Sequence, residues 1–190
     1  MADQSVFLVD HDPAWHEQFV VQRDALTSLL KSWLAFPPEH VGSTAVPGLR
    51  AKPVIDIVAP VVSRQEAQMA VPVLAAGGWL FWPEDPNRDY RLWFLRPTPQ
   101  VRTHHLYLIQ HDHPELRRLL LFRDALRDDA DLRTAYATLK DELAKRHSTD
   151  RDAYTDAKSA FISAAVRARG ADRSSRNSLT TSRDAQAGNR

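Results

Sequence analysis

One charged residue interrupts an apolar run in the first third of the chain, and this feature strongly constrains the fold. The run is Val54-Ile55-Asp56-Ile57-Val58, in which β-branched residues surround a single carboxylate. Such runs are typical of buried strands. Because an unpaired charge is costly to bury, Asp56 needs a partner or must face a site. The sequence therefore predicts a central strand over residues 54–62 that carries a functional or ion-paired aspartate.

The segment before this strand combines turn residues with hydroxyl groups. It reads Gly42-Ser43-Thr44-Ala45-Val46-Pro47-Gly48 and follows a short strand predicted at residues 39–41. A glycine directly after a strand lets the backbone approach a phosphate, and Ser43 adds a hydroxyl donor. Taken alone, however, a Gly-Ser pair is more often a plain tight turn. The pair marks a candidate phosphate site only together with other residues.

Asp56 and the cations near it permit two interpretations. A carboxylate on a strand at a cleft could bind Mg²⁺ together with phosphate oxygens. It could equally form an ion pair with Lys52, Arg91 or Arg102. The same three cations could instead line a pocket for an anion. By contrast, charges on the predicted helices, such as Arg127, are expected on solvated faces.

Two adjacent histidines lie in the strand predicted at residues 101–109. Neighbouring side chains on a strand point to opposite faces, so His104 and His105 cannot both face one cleft. One of them could reach Asp56 across the sheet, and Tyr107 shares a face with His105. A metal site of histidine and aspartate is conceivable, but a structural histidine is the commoner outcome.

The remaining patterns predict an α+β chain whose C-terminal part is helical. The short link at residues 96–100 predicts an antiparallel hairpin. Residues 171–190 are polar with a single leucine, which predicts a disordered tail after one domain over residues 1–170. Strands are predicted at residues 6–9, 39–41, 54–62, 79–82, 90–95 and 101–109, and helices at residues 13–34, 64–76, 113–128, 131–146 and 150–169.

Composition excludes several classes of protein and site. The formal charge is +1, so overall basicity does not favour nucleic acid as a partner. The chain has no cysteine, which excludes disulfides, thiolate metal sites and a cysteine nucleophile. No apolar run approaches the ~18 residues needed to span a bilayer, and the N-terminus has no secretory pattern. We expect a cytoplasmic protein without membrane association.

The segment from Gly42 to Ile57 closely resembles the signature of the GrpB family. The resemblance covers about residues 6–170. Further matching segments are residues 9–15, 103–106 and 121–127, together with Tyr136, Leu139, Lys140, Tyr154 and Lys158.

This resemblance implies a polymerase-β-like nucleotidyltransferase fold, a mixed sheet flanked by helices. It also implies that Gly42, Ser43 and Thr44 hold a triphosphate, and that Asp56 is the first carboxylate ligand of Mg²⁺. A related domain is fused to dephospho-CoA kinase in some bacteria. A nucleotide or another anionic small molecule is the implied ligand, and a protein partner is a further expectation.

The sequence departs from the superfamily pattern at the metal ligands. Val58 occupies the position of the second carboxylate, and the strand at residues 101–109 has none. One aspartate cannot hold two ions about 4 Å apart, unless a loop supplies a second carboxylate. The candidates for that role are Glu39, Glu84, Asp85 and Asp89.

The resemblance, together with the missing metal ligands, leaves two possible functions. The first is Mg²⁺-dependent nucleotidyl transfer to an unknown acceptor, with Asp56 and His105 as catalytic candidates and Lys52, Arg91 and Arg102 on the phosphates. The alternative is non-catalytic binding of a nucleotide or CoA-like anion, or an accessory role beside a protein partner.

Overall fold

The computed structural model describes residues 7–171, except for the side chains of residues 151 and 152. The strands are β1 (Glu39–Val41), β2 (Ile55–Val61), β3 (Leu80–Phe81), β4 (Arg91–Pro97) and β5 (Arg102–Gln110). The helices are α1 (Ala14–Leu30), α2 (Val71–Ala76), α3 (Pro114–Asp128), α4 (Ala130–Arg146), α5 (Arg151–Asp156) and α6 (residues 159–171). Short 3₁₀ helices lie at Ser43–Ala45 and Glu66–Ala70.

The five strands form one mixed sheet in the order β1-β2-β5-β4-β3. β2 and β5 run parallel, and the other neighbouring pairs are antiparallel. Helices flank this sheet and dominate the C-terminal part of the chain, which confirms the α+β prediction. The β4–β5 hairpin is also confirmed, with β4 extending to Pro97.

Each face of the sheet has its own hydrophobic core. On one face, α1 and α2 cover side chains of β2, β4 and β5, which include the fully buried Ile57, Phe94 and Leu106. Such side chains stabilise the fold by about 1.5–3 kcal/mol each. On the other face, Leu116 of α3 packs against Val58 and Ile109. Asp56 lies on this second face, beyond the part that α3 covers, because alternate residues of β2 share a face.

The loop between β1 and β2 is held by the C-terminal helices. Val46 and Leu49 of the loop are buried against Leu126 of α3 and Tyr136 of α4. The Lys140 ammonium, almost fully buried, donates a hydrogen bond to the Arg50 carbonyl oxygen. The helical C-terminal part therefore fixes the path of the chain between Gly42 and Asp56.

Several predicted boundaries were wrong because tertiary hydrogen bonds redirect the chain. The helix predicted at residues 13–34 ends at Leu30, since Leu34 bridges to Val61 and the Ala35 N–H donates to the Pro60 carbonyl at 2.9 Å. Within residues 7–9, the described part of the first predicted strand, only Val9 pairs, with Ala51.

Two predicted helices are interrupted. The one predicted at residues 64–76 is a 3₁₀ segment followed by α2, which carries a proline in its first turn. The one predicted at residues 150–169 is broken by a turn at residues 157–158 and then continues to residue 171. The strand predicted at residues 79–82 shrinks to β3. Residue 6 and residues 172–190 lie outside the described range.

No helix within residues 7–171 is long and apolar enough to cross a membrane.

Candidate functional site

Gly42 brings the turn after β1 into direct contact with Asp56. Val41 is the register partner of Asp56, so the chain leaves β1 beside this aspartate. Gly42 has φ 73° and ψ −171°, a region that is almost restricted to glycine. A Cβ atom built on Gly42 would lie 2.6 Å from Oδ2 of Asp56. Glycine is therefore required here by both the backbone and the close approach.

Asp56 is joined to two side chains of β5 in a hydrogen-bonded group, the Asp56–His105–Tyr107 triad. The parallel register places His105 opposite Asp56. Nδ1 of His105 donates to Oδ1 of Asp56 at 3.0 Å, and the Tyr107 hydroxyl donates to the same oxygen at 3.3 Å. The Asp56 side chain is 28% exposed, whereas that of His105 is 6% exposed. The expectation that one histidine reaches Asp56 is met by His105.

His104 lies on the opposite face, as strand geometry requires. Its Nδ1 lies 2.9 Å from the Thr103 hydroxyl, and its ring meets Trp79 edge-on. Burial, with a smaller contribution from Arg96, lowers the pKa of His104 to about 4. This histidine is therefore neutral and structural.

Two tryptophans and Arg102 extend the triad into a larger half-buried cluster. The Trp93 ring meets the His105 ring edge-on, with 5.3 Å between the centroids. The Arg102 guanidinium lies 5.4 Å from the Trp93 ring and 5.7 Å from the Trp82 ring. The sequence predicted that Arg102 belongs to the site around Asp56. It did not single out the tryptophans, because their position depends on the register of β4 against β5.

Arg91 contacts the same cluster, but its guanidinium is held by a buried carboxylate. Its Nε and Nη2 donate to the two oxygens of Asp85 at 2.6 and 2.9 Å, and Asp85 is 1% exposed. The guanidinium also lies 4.6 Å from the centre of the Tyr107 ring. Arg91 therefore has a structural bond to Asp85. Asp85 was one of the loop carboxylates considered as a second metal ligand, and here its two oxygens accept from Arg91.

The hydroxyls of the turn face inward. Thr44 is 3% exposed; its hydroxyl donates to the Val54 carbonyl at 3.1 Å and lies 3.0 Å from Nε2 of His40. Thr44 therefore braces the turn and is too buried to contact a ligand. Ser43 is partly exposed and lies near Tyr136, whose pKa is raised strongly by burial. Lys52 is half-buried in the loop before β2.

Two arginines of α3 support this turn from the other side. Nη1 of Arg123 donates to Oε2 of Glu39 at 2.7 Å and to the His40 carbonyl at 3.0 Å. Nε of Arg127 donates to the Ala45 carbonyl at 2.9 Å. Arg127 is exposed, as expected, but it also contacts the turn because α3 docks on β1. Periodicity alone did not reveal this contact.

Comparison with known proteins places the chain in a family. The family model described as GrpB protein matches residues 5–168. The chain belongs to the GrpB family. This confirms the resemblance first seen between Gly42 and Ile57.

Individual GrpB relatives agree in sequence and in structure. A UPF0157 protein of Pseudomonas aeruginosa is 39% identical over 166 residues, which are 84% of this chain and 66% of that protein. The crystal structure of conserved protein GrpB from Enterococcus faecalis superposes with a TM-score of 0.77 and 34% identity, over 86% of this chain and 96% of that one.

Two other similarities are more distant or partial. A dephospho-CoA kinase of Mycolicibacterium paratuberculosis is 31% identical over 192 residues, which are 88% of this chain and 46% of that protein. The structure of Cid1 with the UTP analogue UMPNPP has a TM-score of 0.49 and 16% identity, over 72% of this chain and 43% of that one.

The side chains of this GrpB domain do not fit a pair of magnesium ions. Val58, the next residue on the Asp56 face of β2, is apolar, and His105 lies opposite Asp56. One oxygen of Asp56 already accepts two protein hydrogen bonds, and the other lies against Gly42. In the part of the chain that is described, no three side chains of histidine, cysteine, aspartate or glutamate form a group suited to a metal.

The loop carboxylates do not supply the missing metal ligands. Glu39 is bonded to Arg123, and Asp85 is bonded to Arg91. Asp89 lines a cavity beside Leu92, whose side chain points away from the triad. Glu84 is exposed in the loop between β3 and β4.

His40 predicts a loss of stability in acid. Its ring is 4% exposed and stacks on Phe19, and burial lowers its pKa to about 4 from 6.5. The unfolded chain therefore binds a proton first as the pH falls. Stability is complete above about pH 6.5 and decreases by on the order of 3 kcal/mol as the pH falls to about 4. Urea unfolding at a series of pH values measures this slope.

Matched variants assign the slope to its source. The free energy of unfolding of His40→Asn is expected to depend much less on pH. His104, whose pKa is similarly low, is expected to account for part of the pH dependence that remains. His111→Asn, at an exposed position, serves as the control and should leave the slope unchanged. An equal slope in His40→Asn and the parent protein would show that His40 is not responsible.

Proposed function

We propose that this GrpB domain binds an anionic small molecule, a nucleotide or a CoA-like metabolite, between the Gly42-Ser43 turn and the Trp93–Arg102 side of the triad. We further propose that binding does not lead to Mg²⁺-dependent nucleotidyl transfer. The hydrogen bonding of Asp56 carries this proposal.

The triad supports binding without metal. A carboxylate that serves two Mg²⁺ ions needs its oxygens directed at the ions and other carboxylates beside it. Oδ1 of Asp56 instead accepts from His105 and Tyr107, two side chains that donate where a metal would otherwise sit. In this arrangement Asp56 orients the imidazole and the phenol, and it supports the turn through its contact with Gly42.

The surroundings favour an anion with a planar part. Arg102 brings positive charge to the two tryptophans, and Lys52 is half-buried three residues before β2. Arginine binds phosphate and carboxylate groups through its planar set of donors. Trp82 and Trp93 are half-buried beside Arg102. Aromatic rings of this kind stack on bases and other planar groups.

Calorimetric titration with ATP and with dephospho-CoA, each with Mg²⁺ and with EDTA, tests the proposal. Dephospho-CoA is included because the chain resembles part of a dephospho-CoA kinase. We expect at least one of the two ligands to bind with the same affinity in EDTA as in Mg²⁺. Binding that requires Mg²⁺ and disappears in Asp56→Asn would overturn the proposal in favour of a metal-dependent transferase.

Arg102→Gln is expected to weaken that binding about tenfold or more, because a charge-assisted hydrogen bond contributes about 1.5–3 kcal/mol. Arg117→Gln is the matched control, since Arg117 is an exposed arginine on α3. Equal affinities in Arg102→Gln and Arg117→Gln would remove Arg102 from the site. Thermal unfolding of each free variant checks that it is folded.

A further inference from the structure

A cavity lies on the other face of the sheet from the triad. Its volume is about 420 Å³, within the range of small-molecule sites. Leu92 at its base belongs to the core under α1 and α2, whereas its neighbour Trp93 contacts the triad. Side chains alternate along β4, so the two sites face opposite directions. The lining residues are Arg64, Gln68, Phe81, Pro83, Arg88, Asp89 and Leu92.

Arg64 supplies a hydrogen-bond donor that the protein does not use. Its Nε is buried and has no hydrogen-bond partner within the described residues. Its Nη2 donates to the Arg88 backbone carbonyl, and its backbone N–H donates to Oε1 of Gln110 at 3.4 Å. The head group is thus fixed in place while one N–H remains unmatched. An unmatched buried donor costs about 1–3 kcal/mol, so a small shift of the guanidinium toward an acceptor in the cavity is favoured.

The charge balance of the cavity favours an anion. Arg64 and Arg88 both line it, and neither forms an ion pair with any carboxylate in the range 7–171. Asp89 is the single lining carboxylate, exposed and likewise without an ion-pair partner there. The cavity therefore carries a net charge of +1 from two guanidinium groups and one carboxylate.

The rest of the lining is apolar. Phe81 and Pro83 are exposed around the cavity and Leu92 is buried in its base. The Phe81 ring is held by the Phe94 ring, with 5.3 Å between their centroids. A ligand that matches this lining has an anionic group for the guanidiniums and an apolar or aromatic body for Phe81 and Leu92.

We infer that this cavity is a binding site for a small carboxylate or phosphate with an apolar body. The anionic group accepts from the Arg64 guanidinium and is attracted by Arg88, and the body lies against Phe81, Pro83 and Leu92. This site is separate from the one proposed at the triad, and the occupancy of one does not depend on the other.

Nuclear magnetic resonance of the ¹⁵N-labelled full chain tests this inference. Benzoate and phenyl phosphate are titrated as the two anionic probes, and benzamide as the neutral one. We expect a saturable shift of the Arg64 Nε–H resonance and of the Leu92 amide with at least one anion and none with benzamide. The anion that binds more tightly identifies the preferred group. An Arg64 resonance that stays unmoved at the highest soluble concentrations overturns the inference.

Variants locate the binding. Arg64→Lys retains the charge but loses the Nε–H donor, and it is expected to weaken binding about tenfold, read from the Leu92 amide. Arg88→Gln, an exposed change, gives a second test without risk to the core. Arg117→Lys is the control and should bind as the parent protein does. Unchanged affinity in both Arg64→Lys and Arg88→Gln, or shifts confined to Trp93 and Arg102, would overturn the site.

Discussion

Arg91→Met is expected to lower the free energy of unfolding by about 3–5 kcal/mol, the cost of leaving a buried charge without its partner. The Asp85 carboxylate is 1% exposed and accepts from Nε and Nη2 of Arg91 at 2.6 and 2.9 Å. The variant also loses the stacking of the guanidinium on Tyr107. Urea unfolding of both proteins at neutral pH measures the difference.

A double mutant separates the stranded charge from lost packing. Asp85→Asn removes the carboxylate, so the Arg91→Met/Asp85→Asn protein should be more stable than Arg91→Met alone. The Asn87 N–H donates to Oδ1 of Asp85 at 3.1 Å, and the amide oxygen that Asp85→Asn introduces can still accept this hydrogen bond. Arg23→Met is the matched surface control: its pair with Asp24 is exposed, and we expect a loss of no more than about 1 kcal/mol.

The Arg91→Met variant also distinguishes between the two roles of Arg91. The sequence predicts a phosphate ligand, whereas the geometry predicts a structural bond to Asp85. Near-parental stability combined with lost binding of ATP or dephospho-CoA would support the ligand role and contradict the structural one.

Gly42→Ala is expected to cost about 2–3 kcal/mol of stability and to abolish binding at the triad. The backbone of Gly42 has φ 73° and ψ −171°, a conformation that is strained for alanine by about 1–3 kcal/mol. The added methyl would lie 2.6 Å from Oδ2 of Asp56, so the carboxylate must also move. That movement disrupts the hydrogen bonds with His105 and Tyr107. Urea unfolding and calorimetric titration give the two readouts.

Gly48→Ala provides a control within the same loop. Gly48 has a φ of +75°, but an added Cβ would meet no atom within 4 Å. We therefore expect a backbone cost of about 1–2 kcal/mol and retained ligand binding. If Gly42→Ala and Gly48→Ala lose the same stability and both bind ligand, the contact between Gly42 and Asp56 has no special role.

Features that depend on neighbouring residues were accessible from the sequence. The β-branched run around Asp56 predicted the central strand, which the structure places at Ile55–Val61. The alternation along β5 predicted that only one of two adjacent histidines could face Asp56, and His105 does. The Gly-Ser-Thr-Ala-Val-Pro-Gly segment was specific enough to identify the family.

Features that depend on distant residues were not accessible. Asp85 and Arg91 form an ion pair because the loop between β3 and β4 folds back on the sheet. Trp93 joins the triad because the β4–β5 register places it opposite Tyr107. Arg127 reaches the Ala45 carbonyl because α3 docks on β1.

The sequence alone thus determined the mixed α+β architecture, because the periodicities of strands and helices are local properties. The resemblance of residues 42–57 to the GrpB signature indicated the family. Only the tertiary structure decided that Asp56 contacts His105 and Tyr107 and that Arg91 is bonded to Asp85. The contacts of Asp56 arise where β2 and β5 lie parallel, 49 residues apart in the chain for Asp56 and His105. Register between distant strands is set by packing of the whole domain, and no short segment encodes it.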